Sequence, residues 1–367
     1  MKVLFDPQVF KVGPSGMRRY YSTLYRGIIK AGIDIVHPRQ PLFSADPTSS
    51  QPLLQELHPT INRVFSRLSF YKKKKAYYRA LSHEEYDLAY ITSSTFETQF
   101  LKYITDKPFV MTVHDTMQAA KLNHMLVDQS RDTMALGYLA HHAERIACVS
   151  EYTKKDLCNR YLIDEEKTQT VYLANFLDSH SEEMQNLPEK YVLFVGNRNG
   201  RKNFYEWVKA VAPSLKNQPD LYIIVTGALT EHEKLFYRKL GVLKNILSKD
   251  NVTDGQLVTL YQQALCLVYP SVYEGFGLPV IEAMANGCPV IASNCTSIPE
   301  VAGSAALYID PLDPNSMLNA FRKLIEAPAL QEELSEKGLI QSKKFSKEKF
   351  ISGMIDLFEQ AIQSCKK

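Results

Sequence analysis

Tyr273-Glu274-Gly275-Phe276-Gly277-Leu278-Pro279-Val280-Ile281-Glu282-Ala283-Met284-Ala285-Asn286-Gly287-Cys288-Pro289-Val290-Ile291-Ala292 decides the fold of this chain. It follows the apolar run Leu265-Cys266-Leu267-Val268-Tyr269, which reads as a buried strand of a parallel sheet. Two glycines bracket Phe276, and Pro279 sits where a first-turn helical proline is tolerated. The helix is expected to reach Asn286 and stop at Gly287, a good C-terminal cap. Pro289-Val290-Ile291-Ala292 then forms the next buried strand. Strand, Gly-rich turn, helix and strand in this order point the helix N-terminus out of the carboxyl edge of a sheet. Free N–H groups and the helix dipole converge there, so α/β folds bind phosphate at that edge. Glu274 precedes the turn and Glu282 lies about one helical turn inside. A phosphate cradle edged by two carboxylates suits a diphosphate between two hydroxyl-rich sugars, the form of a nucleotide sugar. Taken alone, the same residues also describe a capped helix whose acidic first turn favours the dipole.

The string as a whole says more than its glycines. Two glutamates separated by seven residues, with Gly-Phe-Gly-Leu-Pro between them, resemble the donor-site signature of the retaining family 4 glycosyltransferases of GT-B fold. That resemblance implies two Rossmann-like doubly wound parallel sheets facing a cleft, and a nucleotide-diphosphate sugar as donor, with no cofactor. It implies that Glu274 contacts the transferred sugar and Glu282 holds the nucleotide ribose. The backbone of Gly275, Phe276, Gly277 and Leu278 would lie along the sugar and diphosphate.

Size and composition agree with such an architecture. The chain has 367 residues, too many for one ordinary core, and two domains of roughly 150–180 residues are the natural division. A hydrophobic share of 45% and a charged share of 23% describe a globular chain. The net charge of +3 gives no global field for nucleic acid. The six cysteines are scattered without a Cys-x-x-Cys pair, so neither a zinc site nor a disulfide framework is expected, and a reduced cytoplasmic setting fits. Met1-Lys2-Val3-Leu4-Phe5-Asp6 is charged too early to read as a signal peptide, and no run of 18 apolar residues suggests a membrane span.

Apolar runs alternate with helical patterns along the chain, as βαβ units require. Expected strands are Val3–Phe5, Ile33–Val36, Leu88–Ile91, Phe109–Thr112 and Ile146–Val149, then Tyr191–Val195, Leu221–Val225, Cys266–Tyr269, Pro289–Ala292 and Ala306–Ile309. The polar stretch Asp178-Ser179-His180-Ser181-Glu182-Glu183 reads as an interdomain linker. Residues 1–178 are therefore expected to form an acceptor-side domain and 179–346 the nucleotide-sugar domain, with the ligand in the cleft between them. The helical pattern at 347–367 resembles the terminal helix of the family, which crosses back to complete the first domain.

Further candidates also sit at strand ends. Phe194-Val195-Gly196-Asn197-Arg198-Asn199-Gly200-Arg201-Lys202-Asn203 links a strand to a helix, and its cations can neutralise a diphosphate. The resemblance places its lysine at Lys202. The arginine is Arg198 on our reading, with Arg201 in reserve, because Asn197 stands where many relatives carry it. His114, after Phe109–Thr112, resembles the first-domain histidine that reaches the donor sugar near the reacting carbon. His124, His141 and His142 lack that context and read as solvated or capping residues. In Pro14-Ser15-Gly16-Met17-Arg18-Arg19-Tyr20, Gly16, Arg19 and Tyr20 match the family pattern while Ser15 replaces a glycine; Gly16 would face the diphosphate. Ser150-Glu151-Tyr152-Thr153 reads as a helix N-cap segment. Ile298-Pro299-Glu300-Val301-Ala302-Gly303 resembles the short helix below the donor site. No Asp-x-Asp occurs in the sequence, so no metal is expected.

Residues 63–79, Arg63-Val64-Phe65-Ser66-Arg67-Leu68-Ser69-Phe70-Tyr71-Lys72-Lys73-Lys74-Lys75-Ala76-Tyr77-Tyr78-Arg79, are basic and aromatic. They fit either a solvated helix face or a peripheral contact with the inner membrane surface, where a lipid-linked acceptor would be met. The leading expectation is a retaining, metal-independent hexosyltransferase. It would move a hexose from a nucleotide sugar to a glycan or lipid-linked saccharide in surface-polysaccharide synthesis. The look of the relatives favours mannose from a GDP donor. A nucleotide-sugar epimerase, a phosphorylase of the same fold and a non-catalytic sugar-nucleotide-binding protein are the alternatives.

Overall fold

Short apolar runs become parallel strands, and the amphipathic stretches between them cover the sheets. The computed structural model describes residues 1–5, 16–36, 79, 83–91, 98–104, 107–116 and 130–365. Contacts divide the chain into two units, one formed by described residues from Met1 to Tyr172 together with the terminal helix from Lys347, the other by Leu173–Ser346.

In unit one the strands are β1 (Lys2–Phe5), β2 (Asp34–Val36), β3 (Leu88–Ile91), β4 (Phe109–Val113), β5 (Arg145–Cys148) and β6 (Thr168–Thr170). They form a six-stranded sheet in the order β2-β1-β3-β4-β5-β6, every pairing parallel. The winding reverses between β1 and β3. In unit two, β7 (Lys190–Phe194), β8 (Leu221–Thr226), β9 (Ile246–Lys249), β10 (Cys266–Tyr269), β11 (Val290–Ser293) and β12 (Leu307–Ile309) give a parallel sheet in the order β12-β11-β10-β7-β8-β9. Its winding reverses between β7 and β10, whose register pairs Leu267 with Leu193. Each unit is thus the doubly wound α/β sheet expected from sequence. A switch point of this kind is where open sheets bind ligands.

Two strands escape the sequence reading. β6 has no apolar run, and β9 buries fully only Ile246. Both are sheet edges, which need fewer apolar residues than strands covered on both faces. The supposed linker also behaves differently from its composition. The Glu182 N–H donates to Gly255 O at 3.1 Å, while the Thr253 and Thr259 hydroxyls donate to the Glu182 carboxylate and carbonyl at 2.5 and 2.6 Å. The polar residues there serve contacts within unit two, which begins at Leu173.

The unit-two core centres on Trp207, which lies 5.9 Å from the Phe204 ring and 5.7 Å from Phe321. The helix Phe204–Lys216 buries Phe204, Trp207, Val208, Val211 and Leu215, a stripe at helical spacing. In unit one the helix Gly16–Lys30 buries Tyr20, Tyr21, Leu24, Gly27 and Ile28. The terminal helix Lys347–Ser364 packs beside it, with Phe350 4.9 Å from Tyr20 and Phe358 5.4 Å from Tyr90. Among the described residues no helix is long and apolar enough to cross a membrane.

Gly27 permits the close approach of these two helices. A Cβ there would lie 2.4 Å from Ile351 Cδ1. Gly27→Ala is expected to destabilise the protein by about 1–3 kcal/mol through overpacking, despite its better helix propensity. A urea midpoint at or above wild type, followed by circular dichroism, would contradict this packing.

Candidate functional site

Because β7 and β10 are parallel neighbours, their exits leave the same edge of the sheet. β7 passes through Gly196, held at φ 119°, into a short turn at Gly200–Lys202. β10 passes through Pro270–Gly277 into the helix Leu278–Ala285, with Pro279 in its first turn. Gly277 has φ 103°, and a Cβ there would meet Ile298 Cδ1 at 2.6 Å, so the turn requires glycine on two counts. The two exits are tied directly, since the Val272 N–H donates to Arg201 O at 2.8 Å.

That tie sets the central ion cluster. Arg201 Nη1 donates to Glu274 Oε2 at 2.6 Å and to Tyr273 O at 3.1 Å. Lys202 Nζ lies 2.8 Å from Glu274 Oε1, a charge contact, while its aligned hydrogen bond goes to the Tyr269 hydroxyl at 2.6 Å. The same ammonium is 4.5 Å from the Tyr269 ring centre, a cation–π contact. Glu274 is only 5% exposed. Burial pushes its carboxyl pKa up, but the Lys202 and Arg201 charges outweigh burial and hold it below the ordinary value. Its charge is therefore maintained inside the protein. Glu282 is buried on the following helix, with the Tyr261 hydroxyl donating to Oε2 at 3.0 Å.

Arg198 is elsewhere. Its Nε and Nη2 donate to the two Glu233 oxygens at 2.5 and 3.3 Å, and Nη1 and Nη2 donate to the carbonyls of Thr226, Gly227 and Ala228 at 2.7, 3.3 and 2.7 Å. These bonds account for all five guanidinium N–H groups. Glu233 is also the inward-turning member of a capping box with Thr230 at the helix Glu231–Lys239. The Arg198–Glu233 pair therefore fastens the exit of β7 to that of β8, beside a cavity of about 460 Å³ lined by Asn197, Asn199, Gly227 and Thr230 among others. Of the two arginines weighed from sequence, Arg201 meets Glu274 and Arg198 does not.

Unit one carries different chemistry at its strand ends. The hydroxyls of Tyr20, Tyr90 and Thr112 form a buried triangle with sides of 2.8, 3.0 and 2.6 Å. His114 follows β4 with Tyr20 edge-on at 4.9 Å. Burial pushes its pKa down to about 4, so the ring is neutral near pH 7, and its Nε2 has no hydrogen-bond partner among the described residues. Gly16 opens its helix. Ser150 caps the helix Glu151–Tyr161 by accepting from the Thr153 N–H, as its sequence suggests. His142 bonds through Nδ1 to Tyr138 O at the end of its own helix. Ser15, His124 and residues 63–78, with Lys72, Lys73, Lys74 and Lys75, lie outside the described residues.

Comparison with known proteins gives this geometry a family. The model for glycosyl transferases group 1 matches residues 177–359, and that for glycosyltransferase family 4 matches residues 14–174. The chain belongs to the family 4 glycosyltransferases of GT-B fold. It is similar to O-antigen chain mannosyltransferase B of Escherichia coli, 28% identical over 253 residues that cover 68% of this chain and 63% of that protein. Similarity to O-antigen chain mannosyltransferase RfbU of Salmonella typhimurium is 31% over 189 residues, 50% of this chain and 52% of that one. The chain thus spans between half and two thirds of the length of these curated relatives. Among solved structures, sucrose-phosphate synthase from Thermosynechococcus elongatus has a TM-score of 0.77 at 20% identity, covering 99% of both chains. WaaG, a glycosyltransferase involved in lipopolysaccharide biosynthesis, has a TM-score of 0.67 at 15% identity over 98% of this chain and 99% of that one.

Some residues of this candidate site lie outside the sequence reading. Tyr269, the last residue of β10, positions Lys202, and its apolar strand context conceals that polar contact. Thr296 and Ser297 bond to the Glu274 segment; the polar cluster after β11 was the available signal.

The buried Arg198–Glu233 pair has a pH signature. Burial pushes the Glu233 pKa up, but the Arg198 and Thr230 hydrogen bonds dominate and bring it from its ordinary 4.5 to about 2. A carboxyl depressed by folding stabilises fully above its unfolded pKa, and that contribution is lost as pH falls through the folded value. The shift corresponds to about 3 kcal/mol at neutral pH. Arg198→Met is expected to lose several kcal/mol at pH 7, since it strands a buried carboxylate. Its stability should also fall less steeply than wild type between pH 4.5 and 2. Equal acid slopes in denaturant titrations would refute the assignment.

Proposed function

We propose that the protein is a retaining hexosyltransferase that moves a sugar from a nucleotide-diphosphate donor to a glycan or lipid-linked saccharide in bacterial surface-polysaccharide synthesis. The observation that carries the reading is the Glu274–Arg201–Lys202 cluster at the β7/β10 switch point. Two cations at the carboxyl edge can hold a diphosphate, Arg201 in bidentate fashion and Lys202 as a point charge. On departure of the nucleoside diphosphate they stabilise the charge that develops on the leaving oxygen, and Tyr269 keeps the ammonium oriented.

Glu274 has a second part in this scheme. It shares its two cations with any incoming diphosphate, so donor binding draws them away and leaves the carboxylate to accept from hydroxyls of the transferred sugar. Glu282, on the next helix, is suited to the ribose hydroxyls. His114, neutral near pH 7, can hydrogen-bond the donor sugar without adding charge. Metal-independent transfer is supported by these cations and by the lack of an Asp-x-Asp sequence. Mannose as the sugar and GDP as its carrier are supported by the names of the relatives, which are O-antigen mannosyltransferases. The proposed setting is the cytoplasmic face of the inner membrane.

A thermal-shift panel of UDP, GDP, ADP and dTDP identifies the base, because a ligand that binds the folded state raises its midpoint by mass action. With the matching nucleotide sugar, Lys202→Ala is expected to lower turnover by about 100-fold or more, in the range of losing one preorganised oxyanion partner. Glu274→Ala should also lose turnover, yet bind free nucleoside diphosphate as tightly as wild type or tighter, since the carboxylate no longer competes for the cations. Weaker nucleotide binding by Glu274→Ala would overturn the exchange of partners. Full turnover by both variants would overturn the site.

The stereochemistry is separately testable. NMR of the product should show the anomeric configuration of the donor, and excess chelator should leave the rate nearly unchanged. An inverted anomeric centre, or activity lost to chelator and restored by magnesium or manganese, would replace the mechanism.

A further inference from the structure

The segment that carries Glu274 has left its strand and lacks the sheet ladder to hold it. Beside the Val272–Arg201 bond, its backbone is held by side chains at the end of β11 and just after it. Ser293 Oγ donates to the carbonyls of Tyr269 and Ser271 at 3.2 and 2.5 Å. Cys295 Sγ reaches Ser271 O and Val272 O at 3.5 Å each. The Glu274 N–H donates to Thr296 Oγ1 at 3.1 Å, and Ser297 Oγ donates to Glu274 O and Phe276 O at 2.9 and 3.1 Å. The side chains of Ser293, Cys295, Thr296 and Ser297 thus hold backbone groups between Tyr269 and Phe276.

Two features show that this arrangement overrides local preference. Thr296 has φ 55°, a left-handed conformation that β-branched residues rarely adopt. Ser297 occupies the N-cap of the helix Ile298–Ala302, where a serine ordinarily bonds its own helix, yet it makes no capping bond. Its hydroxyl goes to Glu274 and Phe276 instead. A strained threonine and an uncapped helix persist when neighbouring contacts impose them.

We propose that Thr296 and Ser297 are positioning residues for donor-sugar transfer, fixing the Glu274 backbone so that its carboxylate is aimed between Arg201 and Lys202. The inference rests on the glycosyltransfer reading above. Neither side chain is required to touch the substrate. Their effect passes through Glu274, and so falls on turnover more than on nucleotide binding.

The test compares Thr296→Val, Thr296→Ser, Thr296→Gly and Ser297→Ala with Glu274→Ala. Each is assayed for nucleoside diphosphate release from the panel-selected nucleotide sugar, with an added saccharide or water taking the sugar, and for binding of that nucleoside diphosphate alone. Thr296→Val and Ser297→Ala should lose about tenfold or more in kcat, with nucleotide Kd within about threefold of wild type. Thr296→Ser, which restores the acceptor oxygen, should recover most of the rate. Thr296→Gly relieves the left-handed strain, so it should keep or raise the thermal midpoint while turnover still falls; this separates positioning from folding even if Ser297→Ala folds poorly. Wild-type kcat in Thr296→Val and Thr296→Gly beside an inactive Glu274→Ala would overturn this inference alone. A drop in kcat that only mirrors lost thermal stability would also overturn it. Normal turnover by Glu274→Ala, or no release by wild type from any nucleotide sugar of these four bases with saccharide acceptors present, would instead remove the glycosyltransfer reading on which it stands.

Discussion

The arrangement of unit two depends on one buried carboxylate held between two cations that come from a different strand. Glu274 follows β10, Arg201 and Lys202 follow β7, and only the parallel pairing of those strands brings them within 2.6 and 2.8 Å. An ionised carboxylate at 5% exposure is tolerable only where such partners are fixed beforehand. The glycines serve the same end. Gly196 and Gly277, both at positive φ, let each exit turn sharply enough that its polar residues stay at the sheet edge.

The second ion pair, Arg198 with Glu233, resembles the first in chemistry and differs in consequence. Arg198 is enclosed by acceptors from the β8 exit and by a capping glutamate, so its donors are all committed to the protein. Arg201 and Lys202 are more exposed, at 25% and 14% of their side chains against 9% for Arg198. A cation that must exchange partners with a ligand needs that access. One that joins two loops does better without it. On the proposed reading the two pairs divide the work of one sheet edge: one shapes it and the other presents charge to a diphosphate.

How far this was legible follows from where each determinant lies along the chain. The strand, glycine turn, helix and strand around Glu274 are local, because each step has a residue type that permits it. The doubly wound sheets follow from the alternation of such units. The direction in which Arg198 turns is not local, since it is set by Glu233 and by the carbonyls of residues 226–228, brought near only by the β7–β8 pairing. Two arginines three residues apart in one polar turn look alike in sequence. Edge strands β6 and β9 were missed for want of burial, and Asp178–Glu183 read as a linker because hydrogen bonding to a helix N-terminus uses the same residues as solvation does. Thr296 and Ser297 were passed over for a related reason, since a Ser/Thr cluster before a helix ordinarily means a cap.

Formal charges and neutral polar groups are both buried near the strand ends. Unit two gathers formal charges there, whereas the described part of unit one buries neutral groups: three hydroxyls in mutual hydrogen bonds and an imidazole whose burial keeps it uncharged at neutral pH. In the proposed reaction one product leaves as an anion, and formal charge is of use at the unit-two edge. Charge stabilisation is needed where the diphosphate departs, and an added cation beside the sugar would compete with the oxocarbenium character developing there. Neutral donors and acceptors can orient sugar hydroxyls without that penalty. On this argument a neutral His114 fits the role proposed for it, as the maintained charge of Glu274 fits its own.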